Sequence, residues 1–83
     1  DVLYKQLAAV RHESPDSADA RGLIKKWYDY INQFGQYTLE AFKGLGQMYV
    51  DDERFKKNID QYGEGLAEFM RDAMAIFADS QKE

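Results

Sequence analysis

The sequence predicts an all-α fold, and three observations carry that reading. Apolar residues recur at helical spacing through five successive segments. No segment alternates apolar and polar residues over five positions, as a half-buried strand would. The six glycines and the single proline punctuate the segments.

The opening segment, about three turns carrying Leu3, Leu7 and Val10, runs into the loop His12-Glu13-Ser14. Ser14 followed by Pro15 reads as an N-cap with proline at the first helical position, where its missing N–H costs nothing. The second segment repeats Ala20, Leu23/Ile24, Trp27, Ile31 and Phe34 over about four turns, with Gly35 closing it. A third helix is expected from about Thr38 to Val50, with Leu39, Phe42, Leu45/Gly46 and Tyr49 along one face. In the short fourth helix Asp51 can cap, so that Val50 and Phe55 form a hydrophobic staple. Phe55, Ile59 and Tyr62 make its stripe and Gly63 ends it. The last helix carries Leu66, Phe69/Met70, Ala73 and Ile76/Phe77.

Five short helices with brief connections must share one aromatic-rich core, so residues 1–83 form a single domain with a radius of gyration of roughly 12 Å. Gly44 and Gly46 inside the third helix together cost roughly 1.5–2 kcal/mol relative to alanine. Close approach of a neighbouring helix would explain them, and so would room for a ligand against bare backbone. Both can hold on opposite sides of the helix.

Composition removes most function classes. At 45% hydrophobic and 31% charged, the chain is too apolar for disorder and too polar for a membrane span. No signal peptide is recognisable, and a start at Asp1 rather than methionine suggests a piece of a longer protein. A soluble, cytoplasmic domain is expected. Without cysteine there is no disulfide, thiolate zinc site or thiol nucleophile, and His12 alone leaves little for a metal site or a catalytic triad. The net charge of −4 has the wrong sign for a nucleic-acid platform.

Asp51-Asp52-Glu53 fits the first turn of a helix better than a calcium loop, whose alternating ligands and distal Glu are absent. Gly44-Leu45-Gly46 and Gly63-Glu64-Gly65 lack the strand-then-helix context of a phosphate loop. Lys25-Lys26 and Lys56-Lys57 lie at i±4 from Asp29, Glu53 and Asp60 and read as solvated salt-bridge faces. No carboxylate pair is set up for acid–base work. No catalytic residue, metal, cofactor or enzyme activity is therefore expected.

The aromatics are the unusual feature. Trp27, Tyr30, Phe34 and Tyr37 exceed what one narrow core stripe needs, and six tyrosines offer flat apolar faces with hydroxyl tips, the mixture that lines small-molecule pockets. Composition alone leaves an ordinary core or a partner-helix surface as the simpler reading.

Two blocks resemble a known family. Gly44-Leu45-Gly46-Gln47-Met48-Tyr49-Val50-Asp51-Asp52-Glu53-Arg54-Phe55 is similar to the Leu-Gly-x-Met-Tyr-Val-x-Asp-x-Arg-Phe stretch of the TipAS antibiotic-recognition family. Tyr62-Gly63-Glu64-Gly65-Leu66-Ala67-Glu68-Phe69, continuing to Ala73, is similar to its second block. The likeness runs from about residue 27 to 77, is faint before Ser14, and through Asn58–Tyr62 resembles the Mta-type multidrug-responsive activators. The resemblance implies a trimmed, globin-like helical bundle that binds bulky, largely apolar antibiotics in a cleft. It implies the C-terminal effector half of a homodimeric MerR-family transcription activator, touching DNA only through an N-terminal domain absent from this chain. Some members trap their ligand with a cysteine in the segment corresponding to Tyr37–Gly44; none is present here, so binding should be reversible. Haem is not expected, since His12 is the only imidazole.

Helical spacing and resemblance together nominate a site. Tyr37, Ala41, Gly44 and Met48 form one wall beside the core stripe of the third helix, and Trp27, Tyr30 and Phe34 from the second helix form the other. A dry, closed pocket of ~300 Å³ would cost about 7 kcal/mol, against only about 4–12 kcal/mol for the whole domain. The free domain should therefore keep the cleft open to water, collapse it or leave one wall loose, and Asp1–Ser14 is the natural loose wall, closing over ligand. A helical protein-interaction module and a free-standing drug-sequestering protein are the rival readings.

Overall fold

The computed structural model describes residues 2–81. Their helices are α1 (Val2–Ala9), α2 (Ala18–Ile31), α3 (Leu39–Asp51), α4 (Glu53–Asp60) and α5 (Leu66–Gln81), with no strand among the described residues. The expected all-α architecture and its helix count hold, and the radius of gyration is 11.6 Å. No described helix is long and apolar enough to cross a membrane.

α5 is the central element. Its sequence places Leu66, Ala67, Phe69, Met70, Ala73, Met74, Phe77 and Ala78 at a 3–4–7 repeat wide enough to meet several neighbours, and all eight are buried. α3 packs along it most extensively, with α2, α4 and α1 also against it. Phe42, Leu7, Ile24, Leu66, Met70 and Met74 are fully buried, each contributing about 1.5–3 kcal/mol relative to exposure.

The two glycines of α3 divide as their spacing allows. A Cβ on Gly46 would stand 3.2 Å from the Arg71 Cα and 3.3 Å from the Met74 Cβ, so bare backbone permits the close approach of α5. A Cβ on Gly44 would meet nothing within 4 Å.

Several boundaries differ from the sequence expectation. Ser14 and Pro15 do not start α2: they form a turn closed by Ser17 N–H donating to the Ser14 carbonyl at 2.9 Å, and Ser17 caps the helix by accepting from Ala20 N–H. Proline suits the second position of such a turn as well as the first of a helix, and Ser17 supplies a better-placed hydroxyl. α2 ends at Ile31, before Phe34, because Asn32 takes over: its Nδ2 donates to the Tyr28 carbonyl and its Oδ1 accepts from Tyr37 N–H, both at 2.8 Å. Gly35 has no positive φ and is not the terminator. Asp52, not Asp51, caps α4 by accepting from Arg54 N–H, and it is also the C-terminal cap of α3. With the cap at Asp52, Val50 and Phe55 no longer stand at the staple positions, and Phe55 is 43% exposed with its ring 6.2 Å from Tyr49.

α4 ends at Asp60, and Gly65, with φ +83°, makes the left-handed turn into α5. Asp60 then serves the next helix, accepting from Ala67 N–H at 2.9 Å while receiving the Lys56 ammonium at 3.0 Å. Burial opposes its charge, but the Ala67 N–H, Lys56 and the Gly65 N–H outweigh it and hold the carboxyl below the usual carboxylate range. Lys25 and Lys56 pair with Asp29 and Asp60 at i+4, as their spacing suggests.

Candidate ligand-binding site

A continuous row of rings crosses the domain. Tyr62, just past α4, stacks on Tyr4 of α1 with centroids 5.2 Å apart and planes at 19°. Tyr4 lies 4.9 Å from Trp27. Trp27 stacks on Tyr30 at 5.7 Å, and Tyr30 meets Phe34 edge-on at 5.3 Å. Each pair is worth about 0.5–1.5 kcal/mol beyond its buried area. The row begins among half-buried tyrosines, passes through buried Trp27 and ends at Phe34, which is 75% exposed.

Spacing explains the α2 part: Trp27, Tyr30 and Phe34 are three and four residues apart and rise along one helical face. The last member is held just beyond the helix by the loop clamp at Tyr37. That clamp is double, because the Tyr28 hydroxyl donates to the Tyr37 carbonyl at 2.8 Å while Asn32 takes the Tyr37 N–H. Tyr28 is itself fixed by a second ring cluster, edge-on to Phe42 at 4.8 Å and tilted on Phe77 at 5.5 Å.

The polar chemistry of the row is unusual for a core. Tyr49 of α3 is buried, and burial followed by the nearby Tyr4 pushes its hydroxyl well above the ordinary tyrosine pKa, while the Trp27 indole N–H beside it works the other way and Tyr37 adds to the rise. Burial, then Tyr62 and Tyr30, raise Tyr4 as well. These phenols stay neutral across the physiological range. The Trp27 Nε1 is buried, and although it faces the Tyr49 hydroxyl it makes no hydrogen bond of acceptable geometry. A buried donor without a partner costs about 1–3 kcal/mol.

Of the residues nominated from sequence, Trp27, Tyr30 and Phe34 are joined in the row, and Tyr37 comes close to it through Tyr49. Ala41, Gly44 and Met48 occupy the exposed face of α3. Gly44 borders a groove of about 470 Å³ against α5, with Lys43, Gln47, Arg71 and Ala75. Sequence reasoning missed Tyr4 and Tyr62 as members of the row. Their only linear signals are that Tyr4 precedes Leu7 and Ala8 on the buried face of α1, and that Tyr62 follows Ile59 by three. Of the three acids read as a helix first turn, Asp52 caps α4 and Glu53 opens it, whereas Asp51 is the last residue of α3 and accepts from the Gln47 amide.

The rings thus run from core to solvent through an all-α domain, with neutral donors at the buried end. The chain belongs to the TipAS antibiotic-recognition domain family, whose model matches residues 1–77. The likeness thus reaches the N-terminal segment in which the eye finds only faint agreement. The chain is similar to the HTH-type transcriptional activator mta of Bacillus subtilis (strain 168), 42% identical over an alignment of 83 positions that covers 99% of this chain and 32% of that protein. It is also similar to the HTH-type transcriptional activator TipA of Streptomyces coelicolor and of Streptomyces lividans, each 63% identical over 78 residues, 89% of this chain and 30% of theirs. The chain therefore spans about a third of the length of these curated relatives. No solved structure matches it.

Proposed function

We propose that this chain is the effector domain of a cytoplasmic MerR-family transcription activator, and that it reversibly binds bulky, largely apolar antibiotics at the aromatic row. The observation that carries the reading is the row itself, Tyr62–Tyr4–Trp27–Tyr30–Phe34, with its solvent-facing end and its unpartnered indole N–H. Family membership and similarity to two kinds of activator support it. Trp27, Tyr30, Phe34 and Tyr37 give ring faces to the ligand; Ala41, Gly44 and Met48 give small and adaptable contacts on α3. Without cysteine, capture is non-covalent.

Coupling to transcription follows from differential binding. If ligand favours one arrangement of α1 over another, it shifts the population of a homodimer that holds DNA through an N-terminal domain outside this chain. Trp27, the only tryptophan, is a built-in reporter. Titration with bulky apolar antibiotics and cationic dyes should give saturable quenching and a raised melting temperature. Tyr30→Ala and Met48→Ala should each weaken binding by roughly three- to tenfold, about the loss of one ring or thioether contact. A silent panel with a folded protein would sink this reading, and would favour a module that docks a partner helix against exposed Phe34, Met48 and Phe55.

A further inference from the structure

The charged side chains of α2 divide by face. Arg21 pairs with Asp16 at 2.8 Å and Lys25 with Asp29 at 3.2 Å. Asp19 and Lys26 have no ion-pair partner among the described residues. Those two border a groove of about 430 Å³ between α1 and α2, with Gly22 and Leu23 between them along α2 and Ala9 and Val10 on the α1 side.

Packing within the domain gives Gly22 no purpose. It is interior to a 14-residue helix, where glycine is the poorest former after proline, and a Cβ there would meet nothing within 4 Å. Gly46 shows what such a residue does when it has a neighbour: it lets another helix backbone come close. Gly22 leaves the same kind of hollow open to solvent.

The face matches its own two-fold image. Asp19, Gly22, Leu23 and Lys26 stand at i, i+3, i+4 and i+7, and they are symmetric about the midpoint between Gly22 and Leu23. Let two copies of α2 lie antiparallel across a two-fold axis at that midpoint. Asp19 of each copy then meets Lys26 of the other, and Leu23 of each lies over the bare Gly22 of the other. Opposite charges meet twice and each leucine fills a hollow. A parallel pairing would instead set Asp19 against Asp19 and Lys26 against Lys26.

We propose that this face of α2 is a contact between two effector domains, and that a second copy of this chain occupies the groove. The contact is separate from any made by the N-terminal domain outside this chain, and it does not depend on the aromatic row being a ligand site. One helix against one helix makes an interface of the small, weak class, so the isolated chains should pair with a Kd of roughly 0.1–1 mM. In a homodimer joined elsewhere, the effective concentration of the two domains is of that order, and the contact forms.

Sedimentation equilibrium and two-dimensional NMR of this chain up to roughly 2 mM test it, because that range spans the expected Kd. Self-association should grow with concentration, weaken with added salt, and shift the amides of Val10, Gly22 and Leu23. Asp19→Lys and Lys26→Asp should each weaken pairing by roughly tenfold, since each turns two attractive contacts into two repulsive ones. Mixed together, the two variants should pair with each other and neither with itself. That result is beyond the reach of a simple loss of folding. Gly22→Gln fills the hollow with a good helix former, so it should raise the melting temperature while weakening pairing by roughly fivefold or more.

A chain that stays monomeric throughout would overturn the proposal. So would association that shifts amides around exposed Phe34 or Met48 instead, or a mixture of the two charge variants that pairs no better than either alone. An antibiotic that shifts the groove amides of the monomer, with no dimer at any concentration, would reassign the groove to a ligand and overturn it too.

Discussion

The two glycines of α3 offer a test in which propensity cancels and packing remains. Gly44 and Gly46 are both interior to the same 13-residue helix, so replacement by alanine gives each about 0.8–1.0 kcal/mol of helix propensity. At Gly44 nothing opposes the gain, because the new methyl group meets no atom within 4 Å. At Gly46 it lands 3.2 Å from the Arg71 Cα and 3.3 Å from the Met74 Cβ and Sδ. The thioether can swing away, but the α5 backbone cannot, and α3 and α5 must separate along the main helix contact of the domain. Overpacking of that kind costs about 1–3 kcal/mol. Gly44→Ala should therefore stabilise by nearly 1 kcal/mol, and Gly46→Ala should fall between neutral and about 2 kcal/mol destabilising. For 83 residues 1 kcal/mol is about 6 °C in Tm, so the variants should melt about 6–17 °C apart, Gly44→Ala above the parent. Calorimetry or circular dichroism reads this directly. If Gly46→Ala melts as high as Gly44→Ala, the inference that bare backbone at Gly46 admits α5 is wrong.

Asp60→Ala should cost about 0.5–2 kcal/mol in urea unfolding, since it removes the acceptor of the Ala67 N–H. The Asp60 pKa is lowered on folding, so its contribution is present above the unfolded value near 3.9 and is lost as pH falls through the folded one; the acid limb of the stability curve should flatten in the variant. Tyr49 and Tyr4 shift the other way: stability should be intact below pH ~10, where unfolded tyrosine ionises, and decline above it, and Tyr49→Phe should soften that alkaline loss. Spectrophotometric titration showing all six phenols ionising together near pH 10 in the folded protein would refute it. Gly63→Ala would set a methyl group 2.8 Å from the Arg11 Cζ, displacing the guanidinium that donates to the Glu64 and Ala8 carbonyls. Amides of α1 should then exchange roughly two- to tenfold faster with α5 unchanged; unaltered exchange would remove Arg11 as the tether of α1.

How much of this was legible in sequence depends on the range of the interaction. The stripes of α3 and α5 are single-helix patterns, and residues such as Phe42, Tyr49, Leu66 and Phe77 were readable as core because 3.6-residue periodicity survives any tertiary context. Helix ends were less legible where two capping residues compete. Ser14 against Ser17 and Asp51 against Asp52 are decided by the turn that precedes each helix, which no local pattern encodes. The α2 half of the aromatic row was visible at i, i+3 and i+7, whereas Tyr4 meets Tyr62 across 58 positions of chain, and only the fold joins them. The division of labour between Gly44 and Gly46 was foreseeable as a pair of alternatives, and needed the position of α5 to be assigned.

Asp52 is the whole of the connection between α3 and α4, closing one helix and opening the other. Such a joint has no slack. One residue inserted there would turn α4 by about 100° about its axis, carrying Ile59 out of the core and Asp60 away from the start of α5. The stretch from His12 to Asp16, exposed in large part and bounded by turns, has the opposite character. An engineer grafting a fluorescent label, a protease site or a second domain into this fold should cut it there, where added length is absorbed as loop and not converted into rotation.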